Sequence, residues 1–199
     1  MREERGASVY GIARGGVIVA ASLAQALQAP LYAIVVRKVG HPRQPELAIG
    51  AVSAAGDRVI NQNAADFDPA ELDAAFARCA LEARELAKRL ASDGVDTARS
   101  PRTAIVVDDG IATSATMQCA SICARKAGAR VVCAVPVAPA SAVPELQACC
   151  DRIVSLSLEN SPHFAVSRYY ARFEEVGEDD VRRELRRAAV RIQANLPSS

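Results

Sequence analysis

Ile105-Val-Val-Asp-Asp-Gly-Ile-Ala-Thr-Ser-Ala-Thr-Met117 is the stretch on which the fold turns. An apolar run ends there on two adjacent carboxylates, Asp108 and Asp109; a loop of small and hydroxyl residues follows, and helical character begins near Ala115. A strand apolar throughout suits a sheet covered on both faces, as parallel sheets between helices are. In such sheets ligands sit beyond the carboxyl ends of the strands. Backbone N–H groups of a tight loop, backed by the positive end of a helix, make a place for a phosphate. Thr113, Ser114 and Thr116 add hydroxyl donors, whereas Asp108 and Asp109 only accept and suit ribose hydroxyls or hydrated Mg²⁺. The peptide Gly110, Ile111, Ala112, Thr113, Ser114, Ala115 and Thr116 thus reads as a cradle for ribose 5-phosphate. Taken alone, the two acids serve equally well to cap the next helix. A Walker loop is excluded because GxxxxGK[ST] is absent.

Outward from this core the chain alternates strand and helix. Short apolar strands are expected at Ser8–Ile12, Leu31–Val36, Thr103–Val107, Arg130–Val135 and Arg152–Leu156, and helices at Gly16–Gln28, Pro69–Ser92, Ala115–Ala127 and Asp179–Leu196. The pattern is that of an α/β fold with a doubly wound, mainly parallel sheet flanked by helices. The second helix opens on Asp68-Pro69-Ala70-Glu71, a cap followed by proline at the first helical position. Its stripe Leu72, Phe76, Cys79, Ala83, Leu86 and Leu90 keeps helical spacing and reads as core. Residues 40–63 differ in texture and read as a mobile loop running into a hairpin. Asp93–Arg102 is a polar connector. With no repeat, linker or composition break, 1–199 reads as one domain.

Composition narrows the function. The chain has 199 residues, 24 Lys+Arg against 23 Asp+Glu and a formal net charge of +1, so it lacks the broad field of a nucleic-acid or anionic-membrane protein. Half of its residues are hydrophobic, which excludes a disordered or low-complexity chain. Residues 1–5 are charged with no apolar region behind them, so no signal peptide is expected. The longest apolar run, Val131–Ala138, is too short for a membrane span. Six cysteines without CxxC pairing read as reduced, mostly buried thiols of a cytoplasmic protein. His41 and His163 lack ligand-spaced neighbours and read as surface or loop residues. Arg182, Arg183, Arg186, Arg187 and Arg191 read as the solvated face opposite Val181, Leu185, Ala188 and Ile192.

The stretch around Asp108 resembles the phosphoribosyl diphosphate (PRPP) motif of type I phosphoribosyltransferases. Tyr10-Gly-Ile-Ala-Arg-Gly-Gly-Val17 is similar to the family's diphosphate loop, here Arg14, Gly15 and Gly16. Val36-Arg-Lys-Val-Gly40 resembles the next element, with Arg37 and Lys38 facing the same anion. Gln44-Pro-Glu-Leu-Ala-Ile-Gly50 resembles the loop that closes over the site. Ser161–Phe173, within a hood over about 157–175, sits where relatives bind the base, through Phe164, Tyr169 and Tyr170 here; burial of a terminal segment is an equal use for these rings.

The resemblance implies transfer of ribose 5-phosphate from PRPP to a nitrogen acceptor such as a nucleobase, as in salvage of nucleotides, with Mg²⁺ as cofactor and release of diphosphate. It implies a homodimer, and a catalytic set of Asp108, Asp109, Arg37 and Lys38, with Mg²⁺ reached by the two acids through water. Two departures stand out. Ser114 replaces a glycine, and a left-handed backbone there would strain serine. Ala112 replaces the Asp that handles purine N7 in relatives using 6-oxopurines, which disfavours those acceptors. The chain also begins on its first strand, where relatives carry a helix. The alternative reading is a regulatory protein that binds PRPP or a nucleotide on the same fold without catalysis; a vestigial phosphate loop is a third.

Overall fold

A computed structural model describes residues 6–41, 44–91, 101–126, 128–161 and 163–194. The expected connector up to residue 100, Pro162 of the hood, and the expected helix ends at Ser92, Ala127 and 195–196 lie outside the described residues. In chain order the elements are β1 (Ala7–Ile12), α1 (Gly15–Leu27), β2 (Leu31–Ile34), β3 (Val36–His41), β4 (Gln44–Ser53), β5 (Arg58–Ile60), α2 (Pro69–Ala91), β6 (Thr103–Val107), α3 (Ala115–Lys126), β7 (Arg130–Pro139), α4 (Val143–Gln147), β8 (Arg152–Glu159) and α5 (Glu178–Ala194).

The strands expected at the five apolar runs form one sheet in the order β2-β1-β6-β7-β8, parallel at every pairing. Both faces are covered, and side-chain alternation sorts the residues between them. Val9, Ile105, Val107 and Val132 pack with α1 and α5, while Tyr10, Val106 and Cys133 pack with α3. The Tyr10 and Tyr32 rings stack at 5.2 Å on that second face. The expected doubly wound sheet is therefore present. Helix α1 ends without glycine: Gln28 takes φ 52° and its N–H reaches the carbonyls of Ala24 and Gln25.

Two expectations need correction: Leu31–Val36 is not one strand, and the part of 40–63 read as a mobile loop is strand over 40–41 and from Gln44, while the hairpin expected there is present as β4–β5. After β2 the chain leaves the central sheet at Val35, whose carbonyl accepts from the Ala54 N–H at 2.9 Å. It then builds an antiparallel sheet, β3-β4-β5, with register shifts at Gly40. This small sheet has its own apolar cluster, where Val39, Ile49 and Val52 pack on Ala75, Phe76 and Ala80 of α2. Burying Phe76 completely contributes roughly 1.5–3 kcal/mol. Helix α2 is capped as expected, Asp68 accepting from the Ala70 N–H at 2.8 Å. Arg89 forks onto Glu178 at 2.9 and 3.0 Å, tying α2 to α5. Several of the α5 arginines pair with acids on their own helix, Arg182 with Asp179, Arg183 with Asp180 and Arg187 with Glu184.

The β4–β5 turn is pinned from below. Asp57 is 5% exposed, its carboxylate accepts from the Ser53 hydroxyl at 3.1 Å, and Lys126 of α3 pairs with it. Asp57→Ala leaves buried donors without an acceptor, and a melt should show a loss of about 1–3 kcal/mol. Helix α3 should survive the change.

Candidate functional site

Sheet order places the site before any side chain is considered. From β1 the chain moves outward to β2 on one side, and from β6 through β7 to β8 on the other, so the winding reverses between β1 and β6. Crevices at such reversals, at the carboxyl ends of the strands, are where open α/β sheets take ligands. Helix α1 starts three residues after β1 ends, and α3 starts eight residues after β6 ends. Neither carries an acid in its first turn, so the positive ends of both helix dipoles are left for an anion.

The Arg14 turn and the twin acids meet in this crevice. A Cβ at Gly15 would overlap the Asp109 carboxylate. One at Gly16 would stand 2.7 Å from the Val107 carbonyl and 2.9 Å from Asp108 Cα, closer than real Cβ atoms come. The absence of side chains at Gly15 and Gly16 is therefore what lets the two loops touch. The Ala13–Arg14 peptide is cis. Arg14 Nη2 reaches Glu175 Oε1 at 2.5 Å, with Glu175 83% exposed, an ion pair of the weak, water-screened kind.

Asp108 and Asp109 both keep partial contact with solvent. Asp108 Oδ1 accepts from the Asp109 N–H at 3.0 Å. Burial, then the neighbouring Asp109 charge, holds the Asp108 carboxyl well above the ordinary carboxylate range, and burial raises Asp109 as well. Two acids raised by burial, Asp108 further by its neighbour's charge, form a donor set that fits a hydrated divalent cation or ribose hydroxyls. No group of three or more His, Cys, Asp or Glu among the described residues could hold a metal alone.

The loop after the acids divides its residues. Ile111 is 2% exposed within the core and its N–H donates to the Val137 carbonyl at 3.0 Å; Ala115 is buried too. These two serve the fold. Ser114 has no positive φ, so the expected strain is absent; it starts α3, accepting from the Gln118 N–H at its carbonyl. Its hydroxyl donates to Glu145 of α4, and Gln118 Nε2 donates to Ser114 Oγ at 2.8 Å and to Glu145 at 3.0 Å. Gly110, Ala112, Thr113 and Thr116 keep partial or full exposure. Ala112, Thr113 and Ser114 line a cavity of about 560 Å³ with Asn61, Asn63 and Glu145.

The hood closes on the loop rather than standing apart from it. Tyr170 Oη donates to the Asp109 carbonyl at 2.5 Å, and Val166 packs on Gly110 so tightly that a Cβ there would lie 2.5 Å from Val166 Cγ1. Burial, then the charges of Asp109 and Asp108, push the Tyr170 hydroxyl up to about 12. Phe164 and Tyr169 pack ring to ring at 5.8 Å, with Tyr169 43% exposed.

Arg37 and Lys38 are successive residues of β3 and leave opposite faces. Arg37 pairs with Val52, which belongs to the α2 side, and Lys38 with Ala51 on the other. Arg37 Nε is buried without a hydrogen-bond partner. Glu145, Gln118, Val166 and Glu175 were not singled out by the sequence; Val143-Pro144-Glu145, a proline and an acid in a first turn, is the helix-start signal that marks α4.

Fold and crevice together define a doubly wound α/β domain whose cleft lies at the carboxyl edge of its sheet. The chain belongs to the phosphoribosyl transferase domain family, whose model matches residues 7–171. Two curated relatives from strains of Mycobacterium tuberculosis, each named "Putative phosphoribosyl transferase", are 40% identical over 177 residues, covering 87% of this chain. The chain spans 40% of the length of those relatives. The crystal structure of TT1426 from Thermus thermophilus superposes with a TM-score of 0.74 at 36% identity, covering 92% of this chain and 88% of that one.

Proposed function

We propose that the protein transfers the ribose 5-phosphate group of PRPP to a nitrogen acceptor, a nucleobase in the first instance, with release of diphosphate. The observation that carries this reading is the contact of the Gly15–Gly16 turn with Asp108 and Asp109 between two acid-free helix N-termini. In the reaction an acceptor nitrogen attacks C1 of the sugar as diphosphate leaves, and positive charge builds on the ring. The protein's task is to hold, orient and exclude water.

Thr113, Thr116 and the first-turn N–H groups of α3, which have no intrahelical acceptor, take the 5-phosphate. Asp108 and Asp109 accept from the ribose hydroxyls. Arg14 exchanges its exposed partner Glu175 for the diphosphate beside the α1 N-terminus, and Arg37 and Lys38 flank that place from the two faces of β3. Asp108 and Asp109 would hold Mg²⁺ through water, and the ion when bound supplies charge that neutralises the departing diphosphate. The exposed Tyr169 with Phe164 offers a stacking face to the base.

Mixing the protein with Mg-PRPP and a panel of bases while recording diphosphate release tests the reading. Turnover with one base supports it. Binding without turnover would favour the regulatory alternative, and absence of both would end it.

A homodimer accounts for the open edge of the sheet. Val154, Leu156 and Leu158 alternate along β8 on one face with 40, 87 and 50% exposure, an apolar strip that water penalises. Leu156→Asp should shift the protein from dimer to monomer in light scattering. No helix among the described residues is long and apolar enough to cross a membrane, and the six free thiols fit a reducing, cytoplasmic setting.

A further inference from the structure

The loop after β6 already holds an anion of the protein's own. Helix α4 starts soon after β7 ends, and the burial of Ala142 and Leu146 on either side of it fixes where Glu145 stands. The loop hangs on the same strand, through the Ile111 N–H and the Val137 carbonyl at 3.0 Å. Ser114 is buried, and its hydroxyl is used twice: it donates to Glu145 Oε2 and accepts from Gln118 Nε2 at 2.8 Å. Gln118 Nε2 also reaches Glu145 Oε2 at 3.0 Å, so a single carboxylate oxygen takes two hydrogen bonds. A hydroxyl has one proton, and that of Ser114 is committed to Glu145, so none is left for a phosphate oxygen. Among the described residues lining the adjoining cavity, Glu145 alone is charged, and from that side Ala112, Thr113 and Ser114 meet a carboxylate and no cation. Serine and acid stand here as a pair: with glycine at 114, the acid would have no hydroxyl to hold.

We propose that Glu145 is a specificity-determining residue: held on Ser114, it opposes the sugar 5-phosphate at the loop and leaves the diphosphate end of PRPP to carry most of the substrate's affinity. This rests on the phosphoribosyl reading. A phosphate monoester seated on Thr113, Thr116 and the α3 N-terminus is close to dianionic at neutral pH, and two anions on neighbouring donors repel. The helix end still attracts the phosphate, but a fixed charge one side chain away offsets that attraction. The same offset acts on a nucleotide product, which keeps the 5-phosphate and has lost the diphosphate. Product is therefore held loosely, and the Arg14 turn is what distinguishes substrate from it.

Calorimetric titration with ribose 5-phosphate, and separately with magnesium diphosphate, compares the unmutated protein with Glu145→Gln. Glutamine keeps a carbonyl oxygen for both donors and removes the charge. Ribose 5-phosphate should bind the variant about tenfold more tightly at low salt, the scale of a unit charge acting near a partly screened surface. The gap should close in about 1 M salt, which screens charge and leaves shape alone. Magnesium diphosphate, directed to the Arg14 turn, should bind both proteins alike. Binding of ribose 5-phosphate by the variant alone would also support the proposal. Equal affinity for the two proteins, weaker binding by the variant, a gap that persists in high salt, or equal tightening of both ligands would overturn it and leave the phosphoribosyl reading in place. Ribose 5-phosphate refused by both proteins overturns the proposal too; diphosphate refused as well overturns the phosphoribosyl reading with it. Glu145→Ala is the second variant and should tighten ribose 5-phosphate in the same direction. Loss of the fold in both variants, seen in a melt, would make the carboxylate a strut and end the proposal.

Discussion

Replacing Asp108 and Asp109 together by asparagine is expected to abolish binding of Mg-PRPP while making the free protein more stable. Both carboxyls are raised by burial, and Asp108 further by its neighbour's charge. In the unfolded chain each ionises at its ordinary value; in the fold each holds its proton to higher pH. Between those two values the folded state binds more protons than the unfolded state, so stability falls as pH rises through the window. Asparagine removes this cost, and the double variant should melt at a higher temperature than the unmutated protein above that window. Binding should move the other way. Two charged acceptors for ribose hydroxyls and a hydrated cation are lost, and affinity should fall by about 100-fold or more, as when charged hydrogen bonds are removed. In the unmutated protein, Mg-PRPP should bind more tightly as pH rises and the acids shed their protons. Calorimetric titration with a melt of each protein checks both signs. Unchanged affinity would remove the twin acids from the site, and a lowered melting temperature would contradict the electrostatics.

Gly16→Ala is expected to damage both stability and binding. The added methyl would sit 2.7 Å from the Val107 carbonyl and 2.9 Å from Asp108 Cα, and backbone cannot rotate away as a side chain can. Overpacking of this kind costs about 1–3 kcal/mol, and here the relief available is to push the α1 start away from the end of β6. That movement separates the Arg14 turn from the acids, so Mg-PRPP affinity should fall even in the fraction that stays folded. Denaturant unfolding gives the first effect and titration under native conditions the second. Wild-type behaviour in both would show that the two loops are not held in contact in solution.

The parallel core and most of the crevice could be read from residues alone, for a physical reason. Strands covered on both faces need unbroken apolar sequence, and Thr103–Val107 has it; the acids at its end and the hydroxyl loop then locate the ligand edge. The small sheet was less legible. His41, Gln44-Pro45-Glu46 and Gly50 are poor strand formers, and the pairing of β4 depends on α2 supplying Phe76 beneath it, a partner more than twenty residues on that no local window contains. The same limit explains Arg37 and Lys38. Their side chains separate because β3 is extended and successive residues of a strand leave opposite faces. Glu145 lies 31 residues beyond Ser114, and Glu175 lies 161 beyond Arg14, so neither contact has a sequence signal at all.

The joint at Val35 has one more implication. On one side of it the Ala13 N–H holds the Ile34 carbonyl, and on the other Ala54 holds Val35 itself, each at 2.9 Å. The chain passes there from the central sheet to the small one, the two also sharing the α3 face through Val36 and Ala51, and the diphosphate proposed to lie between Arg14 and the β3 rim would span that joint. Occupancy would then act as a brace, and protection conferred by the ligand should reach Phe76 and its neighbours, well away from any atom the ligand touches.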